Sequence, residues 1–135
     1  MKKLILIVGL LALCVGANAQ YEKLRDSLYK AGKYDYVDDF IEGFASVRLN
    51  GKCGFINTTG KEITPLKYDR VDVFNEGLAR VRLNGKYGYI DTVGKEIIPP
   101  KYDYGSFFIG GFAKVTLNNK WFFIDETGKI IREDN

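Results

Sequence analysis

Apolar and polar residues alternate with a period of two over Ala79, Val81 and Leu83, with Arg80 and Arg82 between them. Ala45, Val47 and Leu49 alternate in the same way with Ser46 and Arg48, and Ala113, Val115 and Leu117 with Lys114 and Thr116. An extended chain points successive side chains to opposite sides, so each run predicts a strand with one buried face. Asn50-Gly51 and Asn84-Gly85 close two of the runs and supply the positive φ angles that a tight hairpin turn requires. Asn118-Asn119 takes that place in the third run, less comfortably, because its second residue carries a Cβ. A second strand follows each turn, Lys86 to Asp91 in the middle copy, and then a turn such as Thr92-Val93-Gly94-Lys95. A short third strand, Glu96-Ile97-Ile98, is predicted to stop at Pro99-Pro100, because proline cannot donate to a ladder. Pro65 is expected to end the first copy's third strand likewise, and Tyr68 to Glu76 to cross to the next unit as turn and short strand.

The three runs are copies of one string. Lys33-Tyr34-Asp35, Lys67-Tyr68-Asp69 and Lys101-Tyr102-Asp103 recur every 34 residues, and Gly43, Gly77 and Gly111 keep the same interval. So do Ile56, Ile90 and Ile124, with no insertion or deletion. Helical hairpin repeats share this period but need apolar residues at i, i+3, i+4 and i+7, which the strict alternation rules out. The chain is therefore expected to be mainly β. Three tandem 34-residue meanders, at about 34–67, 68–101 and 102–135, would stack as a short solenoid-like sheet. A small closed β-barrel or a trefoil-like ring is the alternative. A propeller fits less well, since its repeats run to about 40–45 residues.

Residues 20–33 differ in kind. Leu24 and Leu28 lie four apart with Tyr21 and Ala31 near the same face, charged residues cover the rest, and Gly32 stands where a helix would stop. A short amphipathic helix capping the open end of the first unit is expected, because a terminal repeat otherwise exposes its inner face. The tail Arg132 to Asn135 could play the matching role at the far end.

Residues 1–19 have the form of a signal peptide: Lys2 and Lys3, an apolar run from Leu4 to Val15, and Ala17-Asn18-Ala19 before Gln20. The run is too short for a span of about 20 residues. Leu13 is bulky where a lipoprotein peptidase would need a small residue, so cleavage after Ala19 is expected rather than lipidation at Cys14. The mature chain would then be periplasmic or secreted. Loss of nineteen residues, Lys2 and Lys3 among them, leaves 116 of the 135 and lowers the formal charge from +3 to +1. Near neutrality removes any electrostatic case for nucleic acid. Cys53 would remain alone, without an internal disulfide, as a buried apolar filler.

The sequence contains no histidine, the commonest general base and metal ligand, and a lone Cys53 makes no zinc site. No catalytic residue, metal site or cofactor is expected. Asp35, Asp69 and Asp103 could line up as a calcium ladder, but no flanking acidic cluster adds oxygens, so turn capping is the expectation. Lys52, Lys86 and Lys120, and Lys61, Lys95 and Lys129, sit in or beside turns and read as solvated. Most aromatics must form the core. Phe107 and Phe108, flanked by Gly105, Gly110 and Gly111, are the candidates for an exposed binding patch.

With these residues laid out, the chain resembles the WG beta-repeat family over about Lys33 to Glu133. The middle copy carries Gly85-Lys86-Tyr87-Gly88-Tyr89-Ile90-Asp91, then Gly94-Lys95-Glu96-Ile97-Ile98-Pro99 and Tyr102-Asp103, and Glu42-Gly43 and Glu76-Gly77 give the glu-gly step. No copy has a literal Trp-Gly pair: the slot holds Cys53-Gly54, Tyr87-Gly88 and Trp121-Phe122, and so reads as a packing position. The resemblance implies a β-repeat module for binding and names no ligand. The expected function is a non-catalytic module meeting a protein partner at the bacterial envelope. The alternative is binding of a glycan or surface polysaccharide through exposed aromatics and the repeated lysines.

Overall fold

The structure, a computed structural model, describes residue 16 and residues 18–134. Cys14 and the apolar run Leu4 to Val15 lie outside the described residues. Among those described, a helix, α1, covers residues 18–30 and so begins ahead of the expected boundary at Gln20. It closes at Gly32, whose φ is 68°; Lys33 N–H donates to the Leu28 carbonyl at 3.3 Å and Gly32 N–H to that of Tyr29 at 3.0 Å. This double closure satisfies carbonyls that a helix end leaves open, and glycine adopts it without a Cβ clash.

Three antiparallel sheets follow, one per repeat. The first unit holds β1 (Tyr36–Val37), β2 (Phe44–Leu49) and β3 (Lys52–Asn57). The second holds β4 (Arg70–Val71), β5 (Leu78–Leu83), β6 (Lys86–Asp91) and β7 (Glu96–Tyr102). The third holds β8 (Tyr104–Gly105), β9 (Phe112–Leu117), β10 (Lys120–Asp125) and β11 (Ile130–Asp134). Each sheet keeps sequential strand order and is open, so the three copies stack and do not close into a barrel or ring.

The Asn-Gly turns form as the pattern requires: φ is 51° and 77° at Asn50-Gly51 and 52° and 79° at Asn84-Gly85, with 52° and 63° at Asn118-Asn119. A second hairpin turn, not predicted, sits at the glu-gly step. Ile41 and Phe44 exchange both backbone hydrogen bonds around Glu42-Gly43, and Asn75 and Leu78 do so around Glu76-Gly77. Glu42 and Glu76 take φ of 52° and 51° there, a region a Cβ disfavours.

The third strand departs from expectation as well. β7 does not stop at Pro99-Pro100 but runs through both to Tyr102. Its pairing with β6 jumps from Tyr89↔Ile98 to Tyr87↔Tyr102, so the prolines fall in a bulge on an edge strand, where no donor is needed. The bulge lies over Gly88, where a Cβ would stand 2.5 Å from the Ile98 carbonyl oxygen and 2.6 Å from the Pro100 nitrogen. In the third unit Phe122 occupies that slot, and β11 pairs across it in plain register, Phe122 opposite Glu133.

The middle sheet has two packed faces, not one. The rear face of unit 2 (Ala79, Val81, Ile90) packs on the first unit through Phe55, and its forward face (Leu78, Tyr89) on Phe108, Val115 and Ile124 of the third. Phe74 is the knob of the first joint, with ring centroids 4.6 Å from Phe44 and 4.8 Å from Phe55. Phe108 is the knob of the second, edge-on to Tyr89 at 4.9 Å. Burying such a ring contributes about 1.5–3 kcal/mol.

Candidate functional site

Lys-Tyr-Asp can now be assigned residue by residue. Each tyrosine is buried, and the preceding lysine lies over its ring, at 5.5 Å for Lys33 and 5.2 Å for Lys67 and Lys101. Tyr34 O–H donates to Glu62 at 2.8 Å and Tyr68 O–H to Glu96 at 2.6 Å. Burial, then the carboxylate, pushes both phenols well above their ordinary range. The Tyr68 hydrogen bond, with Lys67 at 2.9 Å, holds Glu96 below the usual carboxylate range.

The aspartates cap turns, as expected, but not their own. Asp35, Asp69 and Asp103 accept from the backbone N–H of Asn50, Asn84 and Asn118 at 2.8, 2.8 and 3.0 Å, fifteen residues on in each case. The second oxygen of Asp69 takes Lys52 of the preceding unit at 2.7 Å, and that of Asp103 takes Lys86. These lysines, followed by the turn hydrogen bonds, depress both carboxyls. Lys52 and Lys86 are thus straps between units, while Lys61, Lys95 and Lys129 are exposed at turns. Among the described residues no cluster of three or more His, Cys, Asp or Glu could hold a metal ion.

The predicted aromatic pair divides. Phe107 is 40% exposed, whereas Phe108 is 2% exposed, because it fills the socket of the preceding unit. Phe107 therefore lies at the surface, whereas Phe108 belongs to the core. The signal was available: Phe40, Phe74 and Phe108 recur at the repeat spacing, and Gly110 and Gly111 belong to the turn after the knob.

The Trp-Gly slot lies on the forward face, and its exposure follows position in the stack. Cys53 is 5% exposed beneath the second unit, Tyr87 is half-buried, and Trp121 is 38% exposed. Packing describes the slot in unit 1 and not in unit 3, for nothing among the described residues covers unit 3 from the front. Its forward face forms a groove of about 500 Å³ floored by Phe112 and Phe123 and walled by Phe107, Ile109 and Ile131. Ile109 is 75% exposed, and Phe112 and Ile131 about half. Lys114 lies 4.6 Å from the Trp121 ring and Arg132 4.7 Å from that of Phe123, so the apolar floor has a cationic rim. A contiguous apolar patch with a polar rim is the physical mark of an interaction surface.

An open stack of β-meanders with one uncovered end face is a repeat scaffold. The chain belongs to the WG containing repeat family, whose profile matches residues 31–53, 54–87 and 87–121. The match ends just before Phe122, where the third copy replaces the small residue of the slot. No curated protein matches the chain.

Proposed function

We propose that this protein is an exported, non-catalytic repeat module that binds a protein partner at the bacterial cell envelope. Residues 1–19 act as the signal peptide in this reading, and the mature chain stays in the periplasm or is secreted without lipidation at Cys14. One observation supports partner binding above the rest: the forward face of unit 3 presents Ile109, Phe112, Phe123 and Ile131 together, although the same face of units 1 and 2 is covered. The test is capture from envelope extract on immobilised protein, beside a Phe112→Glu variant. A stoichiometric protein retained by the parent and lost with Phe112→Glu is the expected result. Equal retention by both would show that the face is not the site.

Glycan binding is the second reading, favoured by a strip of rings on the outer surface. Tyr104 lies 5.8 Å from Tyr87 and 6.1 Å from Trp121, with Tyr104 and Trp121 exposed. The lysine columns support it less, since Lys52 and Lys86 are neutralised by Asp69 and Asp103. Salt-sensitive retention on polysaccharide resin that survives Phe112→Glu and is lost with Trp121→Ala would select this reading.

A further inference from the structure

The two ends of the stack are complementary, and α1 imitates one of them. Within the chain every joint has the same parts: a phenylalanine knob of one unit enters an aromatic or aliphatic socket of the unit before it. An Asx-Gly turn also seats on the third segment of that earlier unit. At Gly94 a Cβ would meet the Ile63 carbonyl oxygen at 1.9 Å, and at Gly128 it would meet Ile98 at 2.9 Å. Unit 1 carries the knob and turn of a further joint, Phe40 and Gly60, and α1 covers both. Tyr21 stands 5.2 Å from Phe40, Leu24 and Leu28 face Gly60, and Arg25 pairs with Asp39. An aromatic ring, two aliphatics and a cation are what the forward face of unit 3 offers in Phe123, Ile109, Ile131 and Arg132.

We infer that this forward face takes the first unit of a second copy of the chain, and that α1 is the removable cap that blocks this head-to-tail joining. Three observations choose this occupant. The socket of unit 3 keeps the apolar floor of the unit 1 socket, with Ile109, Phe112 and Phe123 in place of Ile41, Phe44 and Phe55, and the unit 1 socket already holds a phenylalanine, Phe74. Charges complement: Asp39 lies beside the Phe40 knob and Asp35 stands where its copies Asp69 and Asp103 take a lysine of the preceding unit, while Lys114 and Arg132 line the socket. Lys120 occupies the position from which Lys52 and Lys86 reach the aspartate of the following unit, and its recorded pairing is a long one, 3.8 Å to exposed Glu133. Lastly, α1 is lightly held, for Tyr21, Leu24, Arg25 and Leu28 are only half-buried and none of its described residues is fully buried. An element with so few buried contacts opens at low free-energy cost. Joining of unlike ends leaves a free knob and a free socket on each product, so uncapped copies would add one after another, into a filament unless the rotation closes a ring.

This inference names the occupant of the face proposed above for a protein partner and rests on that reading. The test is light scattering and sedimentation of the full chain carrying Leu24→Glu and Leu28→Glu, which unseat α1. Expected is a mass that rises with concentration beyond the dimer, returning to monomer when Phe112→Glu is added. A double variant that stays monomeric, or assembles equally with Phe112→Glu, overturns the inference. Should the double variant fail to fold, Asp35→Cys with Lys120→Cys decides the matter in a chain whose cap is loosened only by Tyr21→Ala, which removes the ring over Phe40. Oxidation is expected to give a ladder of linked copies, and linkage confined to single chains or absent altogether overturns it. A different protein captured on the Phe112 face, with no self-assembly in either experiment, overturns this inference and leaves the partner-binding reading standing.

Discussion

Phe108→Ala separates a core knob from a surface aromatic. The parent side chain is 2% exposed and packs edge-on against Tyr89, at 80° and 4.9 Å, in one cluster with Leu78, Ile98 and Val115. Truncation of a buried phenylalanine costs about 3–5 kcal/mol, which already includes the lost ring pair and the cavity. A domain of this size loses about 4 °C of melting temperature per kcal/mol, so a fall of about 10–20 °C is expected. Phe107→Ala, its exposed neighbour, should stay within about 1 kcal/mol of the parent. Because Phe108 holds unit 3 to unit 2, the loss should also reach cooperativity, since stacked repeats gain stability from nearest-neighbour contacts. The single tryptophan, Trp121, lies in unit 3 and reports that unit alone, while circular dichroism reports all three. In urea, Phe108→Ala should move the fluorescence transition ahead of the dichroism transition. If Phe108→Ala is no more costly than Phe107→Ala, the knob-and-socket account of the stack is wrong.

Gly88→Ala is expected to cost about 1–3 kcal/mol by overpacking, because its Cβ would meet backbone atoms of Ile98, Pro99 and Pro100 that cannot rotate away; an unchanged urea midpoint would contradict the overlap. Glu42→Gly and Glu76→Gly should differ in sign or size although both relieve a positive φ. Glu76 accepts from Gly110 N–H at 2.7 Å and Gly111 N–H at 3.0 Å, so its loss unties two units and should destabilise, whereas Glu42→Gly should be neutral or stabilising in thermal melts. Asp69, Asp103, Asp125 and Glu96 all have folded-state affinities for the proton lowered by hydrogen bonds and cations. Their contribution is present above the unfolded carboxylate range, near pH 4, and is lost as pH falls through the depressed folded values. Melting temperature should therefore hold from about pH 7 to 5 and drop below about pH 4, with a shallower drop in Asp69→Asn; a parent curve flat to pH 3 would refute the linkage.

The units were legible in the sequence because their rules are local. Alternation over Ala79, Val81 and Leu83, the Asn-Gly turns and the closing Gly32 each depend on residues a few positions apart. What escaped were contacts between units. Asp69 works on Asn84 and Lys52, distances along the chain that no strand or turn rule inspects. Arg80 looked like a solvent-facing residue of an alternating strand, yet its side chain is 10% exposed, bonds Asp72 and Gly105, and stacks on Phe107. Pro99-Pro100 ended the strand on paper because the edge position that makes two prolines tolerable is a property of the sheet. The glu-gly turn was missed because glutamate rarely takes a left-handed conformation. The open forward face was invisible for a related reason: Phe112 and Phe123 resemble the covered Phe44 and Phe55 in every local respect.

The side-chain straps have one more consequence. Lys52–Asp69 spans 17 residues, Arg80–Gly105 25 and Glu76–Gly110 34, so the joints are made by segments about one repeat apart or less. Sandwiches and barrels must close far longer loops before their pairings are rewarded, which slows them. Here the entropy of closure is met in small, equal instalments. The polypeptide can accordingly complete its architecture unit by unit along the chain, with each finished layer serving as the template for the next.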